Sequence, residues 1–345
     1  ASMIPPPLNV IFDAQAFSGC KNINMADGLV LPLKVTEIGD EAFLNYGASS
    51  TNAGKLELPK GLTSIGKKAF SGAKLKENLV IPSSVESMGD SAFQSAYADT
   101  AESNMGTLSF ENGSKLTSIP AYAFDKCLAF KGSIVIPEGV TSIGQYAFEK
   151  CSGMDGTLSL PSGLETIGNY AFSECSKLTG GITLPDTLTQ LGKYAFYKCS
   201  NIDGKLVLSK NLKNIPRAAF SNCSSMIGSV DIPKGVQKIN ANAFQGCSSL
   251  NGTLTIPDTV DTIGAYAFDQ CSFLNGSLII PGKVTNVSNY AFAGCSGFDT
   301  LKPSDSITTI SNFAFQDCSG FKNEFVLPAN LKTVGESSFS GCSGL

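Results

Sequence analysis

One short phrase, Ala-Phe-x-x-Cys, recurs along the chain and constrains its fold more than any other feature. The phenylalanine of this phrase occurs in 14 copies, and seven successive intervals between Phe124 and Phe292 are 24 residues long. A fixed period of this length is typical of a solenoid, in which each coil buries its apolar side against its neighbours. We therefore predict a single repeat domain over residues 1–345, with irregular repeats in 1–123 and regular repeats in 124–345.

One full coil, residues 250–273, shows how the repeat is expected to fold. The segment TLTIP alternates apolar and hydroxyl side chains, which predicts a half-buried strand, and Pro257 ends it because proline cannot donate to a ladder. The segment DTVDTIG is predicted to turn the chain, and AYAFDQCS to form a short helical or 3₁₀ stretch. Equivalent strands recur along the chain, the last being FVLP at 325–328. The predicted fold class is a repeat solenoid: a leucine-rich-repeat right-handed superhelix of about 14 coils with one continuous parallel β-sheet.

The cysteines follow the repeat without exception. All 11 stand three residues after a repeat phenylalanine, at Cys20, Cys127, Cys151, Cys175, Cys199, Cys223, Cys247, Cys271, Cys295, Cys318 and Cys342. A column of equivalent cysteines has parallel Cβ directions, which does not suit disulfides, and there are no CxxC pairs for zinc. The flanking residues vary, so no cation is regularly placed to activate a thiol. We interpret the cysteines as buried packing residues, and expect all 11 thiols to be free and slow to react.

Several classes of function are disfavoured by what the sequence lacks. Histidine is absent, which removes His-based triads and His-ligated metals, and no nucleophile elbow, Walker loop or HExxH motif occurs. We therefore predict that the protein is not an enzyme and has no cofactor or metal. The net charge is −4 without a run of Lys or Arg, so we predict no nucleic-acid partner. No apolar run reaches the length of a membrane span, so we predict no membrane insertion in this segment.

The repeat pattern LxGxLxIPxxVxxIGxxAFxxCSxL, seen at residues 250–274, closely resembles the BspA-like leucine-rich repeat family. The resemblance covers nearly the whole chain and is weakest over 1–20, 44–54 and 94–106. Members of that family are bacterial, and in some cases protist, surface proteins. The resemblance implies surface display, adhesion to cells and binding of extracellular proteins.

Three outward-facing features are candidate ligand contacts, although strand propensity, ring stacking or a tolerated insertion would also account for each. The first is the solvent face of the predicted sheet, with candidates Lys205, Val207, Ser229, Asp231, Thr253 and Thr255. The second is a tyrosine column two residues before the repeat phenylalanine, made of Tyr122, Tyr146, Tyr170, Tyr194, Tyr266 and Tyr290. The third is the insertion QSAYADTAESNMG at 94–106, which is predicted to leave the coil as a loop.

These features favour a non-enzymatic, adhesion-type module, secreted or on the cell surface, that binds an extracellular or host protein or a glycan. We expect it to be a monomer. One alternative is a structural spacer that displays another domain. Another is a polysaccharide-acting parallel β-helix enzyme, which would need Asp, Arg and Lys clustered on adjacent coils. Because the sequence ends within a repeat phrase, GCSGL, we expect a fragment of a longer protein that carries the signal peptide and anchor.

Overall fold

The computed structural model describes residues 9–322 and 326–345 and divides the chain into two compact units, 1–164 (unit 1) and 165–345 (unit 2). Each unit is a parallel β-solenoid of short strands and turns with almost no helix. The 14 repeat phenylalanines delimit about 13 turns in all. The solenoid prediction is confirmed, while the single domain stays a prediction.

Most coils contribute two short strands, so the strands form two rows. The first row precedes the repeat proline, and the second contains the isoleucine, or its equivalent, five residues before the repeat phenylalanine. In unit 1 the first row is Leu29–Val30, Gly54–Glu57, Leu75–Lys76, Leu79–Ile81, Leu108–Phe110, Ile134–Val135 and Leu158–Ser159. Its second row is Val10–Phe12, Val35–Ile38, Ser64–Ile65, Ser87–Met88, Ser118–Ile119 and Ser142–Ile143.

The same two rows occur in unit 2. The first is Ile182–Thr183, Leu206–Val207, Val230–Asp231, Leu254–Thr255, Gly276–Ile279 and Phe298–Lys302. The second is Thr166–Ile167, Gln190–Leu191, Asn214–Ile215, Lys238–Ile239, Thr262–Ile263, Asn286–Val287, Thr309–Ile310 and Thr333–Val334. The second row corrects the prediction that DTVDTIG only turns the chain. The three described residues of the predicted strand at 325–328 form no strand, and Phe325 lies outside the described residues.

The predicted strands do not join into one continuous sheet. In the first row of unit 2, Ile182–Thr183 pairs with Leu206–Val207, and Val230–Asp231 pairs with Leu254–Thr255, as separate two-stranded sheets. The second row of unit 2 is more continuous, because six successive strands pair in parallel up to Thr333–Val334. The sheet that the sequence did not predict is therefore the longer one.

A left-handed glycine in every second coil explains the pairwise arrangement. These glycines are Gly132, Gly180, Gly228 and Gly276, with φ between +75° and +92°. In unit 2 the Gly180 N–H donates to Asp203 Oδ1 of the next coil at 2.7 Å, and the Gly204 N–H donates back to the Gly180 carbonyl at 2.9 Å. In the next pair, the Gly228 N–H donates to Asn251 Oδ1 at 2.9 Å, and the Gly252 N–H donates to the Gly228 carbonyl at 3.1 Å. The structural repeat is therefore two coils long, although the sequence period is one coil.

The segment predicted to be helical is a series of turns. Tyr266 and Gln270 have φ of +59° and +60°, which a right-handed helix does not allow. The N–H groups of Tyr266, Phe268 and Gln270 donate to carbonyls of the next coil at 3.0, 2.9 and 2.7 Å, while the N–H groups between them bond three residues back. Among the described residues only Glu102–Asn104 forms a 3₁₀ helix. The helical prediction is wrong, and a third set of hydrogen bonds between coils takes its place.

The interior is filled by a stack of phenylalanines. In unit 2 the ring centroids of Phe172 and Phe196 lie 5.3 Å apart with an interplanar angle of 6°, and those of Phe268 and Phe292 lie 5.4 Å apart at 4°. Most side chains predicted to face inward in the coil at 250–273 are buried: Leu254, Val260, Ile263, Ala267, Phe268 and Cys271. Ile256, also predicted to face inward, is only half-buried. This filled core leaves the outer surface as the place for a ligand.

Candidate functional site

The thiols lie inside the coils and contribute to packing. All 11 cysteines are free, nine are buried, and Cys20 and Cys342 are half-buried. The Cys271 thiol donates to the Phe244 carbonyl of the preceding coil at 3.1 Å. Equivalent thiol–carbonyl contacts of 3.0 to 3.1 Å are made by Cys127, Cys151, Cys199, Cys223, Cys247, Cys295, Cys318 and Cys342. The packing role is confirmed, but the expectation that every cysteine is buried is wrong for Cys20 and Cys342.

Burial makes the thiols inside the coils poor nucleophiles, whereas a hydrogen bond with Cys318 lowers the pKa of the half-buried Cys342 thiol. Burial raises the pKa of the Cys127 and Cys247 thiols to about 12. It raises the pKa of Cys199, Cys223 and Cys271 well above the usual 9.0. The thiolate, which is the reactive form, is therefore strongly disfavoured at neutral pH.

The predicted tyrosine column is present as half-buried stacked rings. In unit 1, the ring centroids of Tyr122 and Tyr146 lie 4.7 Å apart with an interplanar angle of 11°. In unit 2, the rings of Tyr170 and Tyr194 lie 4.7 Å apart at 4°. A second group in unit 2 consists of Tyr266, Tyr290 and Phe313. The ring centroid of Tyr290 lies 4.7 Å from that of Tyr266 and 4.6 Å from that of Phe313. We call these three groups the tyrosine columns.

Every residue of the tyrosine columns has a left-handed backbone. Their φ angles lie between +56° and +59°. A bulky side chain is unusual in this region, where glycine, asparagine and aspartate are favoured. Asn242 occupies the equivalent position of another coil with φ of +62°. The rings are thus not required by the backbone, and stacking offsets part of the conformational cost of placing them there.

The tyrosine columns of unit 2 are interrupted over two coils. Ala218 and Asn242 stand where tyrosines would otherwise lie, so the rings of Tyr194 and Tyr266 belong to separate groups. The Tyr194 ring meets the Tyr197 ring edge-on at 5.5 Å, and Lys198 Nζ lies 5.1 Å from the Tyr197 ring centre. The interruption gives unit 2 two distinct aromatic surfaces.

The candidates on the sheet face lie together on three successive coils of unit 2. Val207 is 51% exposed, and Asp231 and Thr255 are exposed partners in a parallel pair. Ser229 and Thr253 link two successive coils, because Ser229 Oγ accepts a hydrogen bond from the Thr253 N–H at 3.1 Å. The stem of Lys205 lies beside Gly228, where an added Cβ would come 3.1 Å from Lys205 Cγ. Val207, Asp231 and Thr255 thus remain the most available contacts of this face.

The insertion at 94–106 is only partly an outward loop. Tyr97 is fully buried, and its ring centroid lies 4.5 Å from that of Phe130. The exposed part contains the 3₁₀ helix Glu102–Asn104, and the Gly106 N–H bonds to the Ala129 carbonyl at 3.1 Å. The loop prediction is therefore wrong for Tyr97, whose apolar ring fills the core of an irregular coil.

Sequence reasoning missed a basic groove in unit 2. The groove has a volume of about 380 Å³, and its lining includes Lys193, Arg217, Asn169, Asn214, Asn240 and Leu191. Lys193 and Arg217 are 24 residues apart, directly after the position of the repeat glycine. No run of basic residues marks them in the sequence. Comparing equivalent positions of successive repeats would have detected them.

A proline interrupts the hydrogen bonds between coils at this groove. In neighbouring coils the residue after the second-row strand donates its N–H to the preceding coil, as Asn240 does to the Ile215 carbonyl at 3.0 Å and Gly264 to the Ile239 carbonyl at 2.8 Å. Pro216 occupies this position at the groove and has no N–H to donate. The second row accordingly divides between Gln190–Leu191 and Asn214–Ile215.

Over residues 9–322 and 326–345, no group of three or more Cys, Asp or Glu side chains is placed to hold a metal ion. Within the same residues, no helix has the length and apolar character needed to span a membrane.

Comparison with known families accounts for the repeat. The model of the BspA type leucine rich repeat region matches residues 4–97, 117–251 and 251–345, in six copies. The chain belongs to the BspA-type leucine-rich repeat family. Between two of the matched stretches lie residues 98–116, which contain the 3₁₀ helix and the exposed part of the insertion.

Solved structures of leucine-rich repeat proteins share the fold of this BspA-type chain. A leucine-rich repeat protein from Bacteroides ovatus ATCC 8483 is 26% identical with a TM-score of 0.67, over 96% of this chain and 74% of that chain. A leucine rich cell surface protein from Faecalibacterium prausnitzii A2-165 is also 26% identical, with a TM-score of 0.53, over 90% of this chain and 82% of that chain. A comparison with curated protein sequences found no match.

Proposed function

We propose that this BspA-type chain is a non-enzymatic binding module, secreted or displayed on a cell surface, whose ligand is an extracellular protein or a glycan. The observation that carries the proposal is the set of tyrosine columns: half-exposed rings at 4.6 to 4.7 Å, held at backbone positions that do not require them. Tyrosine offers a large contact area with little loss of side-chain freedom, which suits both protein and sugar ligands.

Family membership and the described surface support the same proposal. The similar structure from Faecalibacterium prausnitzii is that of a cell surface protein, which supports a surface or secreted location. The interior is occupied by stacked rings and by thiols whose pKa values are raised, so it offers neither room nor a reactive group. Binding on the exterior is the role that this distribution of side chains favours.

The proposal is tested by screening the chain against a glycan array and a panel of extracellular matrix proteins, followed by titration of the strongest ligand. Two double variants then locate the site: Tyr170→Asn with Tyr194→Asn, and Tyr266→Asn with Tyr290→Asn. Asparagine accepts the left-handed backbone, so each variant removes two rings without straining the coil. We expect one of the two to weaken binding by about tenfold or more, as loss of aromatic anchors typically does.

Retained affinity in both double variants would exclude the tyrosine columns of unit 2. A third variant, Val207→Ser with Asp231→Asn, then tests the sheet face. The non-enzymatic part of the proposal is checked by incubating the chain with polysaccharides that bind it. Release of new reducing ends would contradict that part alone.

A further inference from the structure

Three successive coils of unit 2 are rich in positive charge. Residues 187–257 carry eight cations and two carboxylates, a net charge of +6, in a chain whose net charge is −4. The cations are Lys193, Lys198, Lys205, Lys210, Lys213, Arg217, Lys234 and Lys238, and the carboxylates are Asp203 and Asp231. Arg217 is the sole arginine of the sequence. This stretch of unit 2 is therefore basic although the whole chain is acidic.

Four of these cations lie at the second row of strands and are exposed: Lys193, Lys213, Arg217 and Lys238. None of the four forms a salt bridge with the part of the chain that the structure describes, whereas Lys210 is paired with Asp186 at 2.8 Å. Unpaired cations on adjacent rungs attract an anionic ligand that spans more than one rung.

The polar groups around the two groove cations narrow the chemistry of that ligand. Asn169 Oδ1 accepts the Lys193 N–H at 2.8 Å, and Asn240 Nδ2 donates to the Ile215 carbonyl at 2.9 Å, so each amide is fixed and keeps its other end for a ligand. Asn214 adds a third amide, and the Leu191 carbonyl is the acceptor that Pro216 cannot use. Amides and a carbonyl beside two cations match a ligand that carries hydroxyl groups as well as negative charge.

We propose that this basic groove binds an acidic polysaccharide, whose carboxylate or sulfate groups contact Lys193 and Arg217 and whose hydroxyl groups contact Asn169, Asn214 and Asn240. The inference rests on the proposed binding function and gives it a ligand class and a surface apart from the tyrosine columns and the sheet face. Carboxylate and sulfate share the required charge, and both form paired hydrogen bonds with a guanidinium group.

Calorimetric titration of the whole chain with oligosaccharides tests the proposal and separates the two anions. A polygalacturonate oligomer supplies carboxylate alone, a heparin oligomer supplies sulfate and carboxylate, and dextran supplies neither. Oligothymidylate, a polyanion without sugar hydroxyls on its exposed edge, tests for nucleic-acid binding. We expect one or both acidic oligosaccharides to bind more tightly than dextran and oligothymidylate, and to weaken as salt rises from about 0.05 to 0.5 M.

The variant Lys193→Glu with Arg217→Glu should lower the affinity for the bound acidic oligosaccharide by at least about tenfold, since it replaces two attractions by two repulsions. Its matched control, Lys283→Glu with Lys332→Glu, makes the same charge change at exposed positions elsewhere in unit 2 and should change affinity less than about twofold. Thermal melting of both variants shows that they remain folded.

Three results would overturn the proposal: no binding of either acidic oligosaccharide, equal or tighter binding of oligothymidylate, or equal losses in the two charge variants. None of these results would exclude the binding function proposed above. That function stands if the ligand found in the array screen still binds to the double variant Lys193→Glu with Arg217→Glu. The array screen could also find no ligand while an acidic oligosaccharide binds and depends on Lys193 and Arg217. In that case the groove, and not the tyrosine columns, would be the binding site of the chain.

Discussion

At the scale of single residues, the buried cysteine satisfies a backbone carbonyl as well as filling space. The Phe244 carbonyl accepts the Cys247 N–H of its own coil at 3.1 Å and the Cys271 thiol of the next coil at 3.1 Å. A thiol is a weak donor, but its size and long bonds suit the narrow gap between coils. The repeated cysteine is therefore a link between coils that does not need oxidation.

The effect of two substitutions at Cys271 separates hydrogen bonding from packing. We expect Cys271→Ala to lower the free energy of unfolding by about 1–2 kcal/mol, because it removes a buried atom and a donor. Cys271→Ser keeps a donor toward the Phe244 carbonyl and should cost less than the alanine variant. Urea denaturation followed by circular dichroism measures both. A serine variant less stable than the alanine variant would show that only apolar packing matters.

The raised thiol pKa values predict a loss of stability in alkaline solution. In the unfolded chain a thiol titrates near 9.0, whereas in the folded chain burial holds Cys127 and Cys247 at about 12. Between these values the unfolded state binds fewer protons than the folded state, so stability falls as pH rises. We expect the melting temperature to be flat up to about pH 8 and to fall steadily above pH 9.

The control for this pH dependence is Cys247→Ala, which removes one titrating thiol and should show a shallower fall of melting temperature above pH 9. A melting temperature that stays constant to about pH 10.5, well above the free thiol pKa, would contradict the burial of these groups.

At the scale of elements, the repeat pattern predicted what depends on apolar periodicity and missed what depends on backbone conformation. The first-row strand and the inward positions Val260 and Phe268 follow from alternating or spaced apolar residues. The left-handed turns do not, because tyrosine, lysine and glutamine carry no signal for positive φ. The groove escaped prediction because Lys193 and Arg217 meet only when coils stack.

Successive coils approach each other closely at Gly264, the residue that follows the second-row strand Thr262–Ile263. A Cβ on Gly264 would overlap the backbone nitrogen of Ala241 in the preceding coil, whereas a Cβ on Gly282 would meet only Ser304 Oγ at 3.8 Å. We expect Gly264→Ala to destabilise the protein by about 1–3 kcal/mol or more, and Gly282→Ala to change stability by less than about 0.5 kcal/mol. Thermal melting of the two variants compares them directly.

Similar melting temperatures for Gly264→Ala and Gly282→Ala would contradict the close approach of Gly264 to Ala241 of the preceding coil. The comparison is matched, because each variant adds one methyl group to a glycine of unit 2 whose φ lies outside the left-handed region.

At the scale of the whole molecule, the repeat is built from pairs of coils rather than from single coils. Gly180 begins one pair and Gly228 the next, each donating to a side chain of the second coil in its own pair. The sequence period of 24 residues hides this pairing, because Gly204 and Gly252 occupy the same place in the pattern with a different backbone. Only the structure distinguishes the two kinds of coil.

Two internal deletions test this pairing. Removing residues 181–228 takes out one whole pair and joins Gly180 to Ser229, which follows a left-handed glycine in the native chain. Removing residues 205–228 takes out half as many residues but joins Gly204, the glycine of a second coil, to the same serine. We expect the longer deletion to melt at a higher temperature than the shorter one, because it preserves the order of the pairs.

The reverse order of melting temperatures would show that coils are interchangeable. Both deletions keep the coils at 229–322 and 326–345 unchanged, so differences arise at the new junction.

The third set of hydrogen bonds, formed by the left-handed turns, has a mechanical consequence. The N–H groups of Tyr266, Phe268 and Gln270 all reach forward to the next coil. A tension on a terminal coil would load the bonds to one neighbour only, and that coil would peel away before the next is strained. Each released coil of 24 residues would lengthen the chain by roughly 80 Å. A solenoid built in this way would release its length in steps of one coil while the remaining coils stay folded.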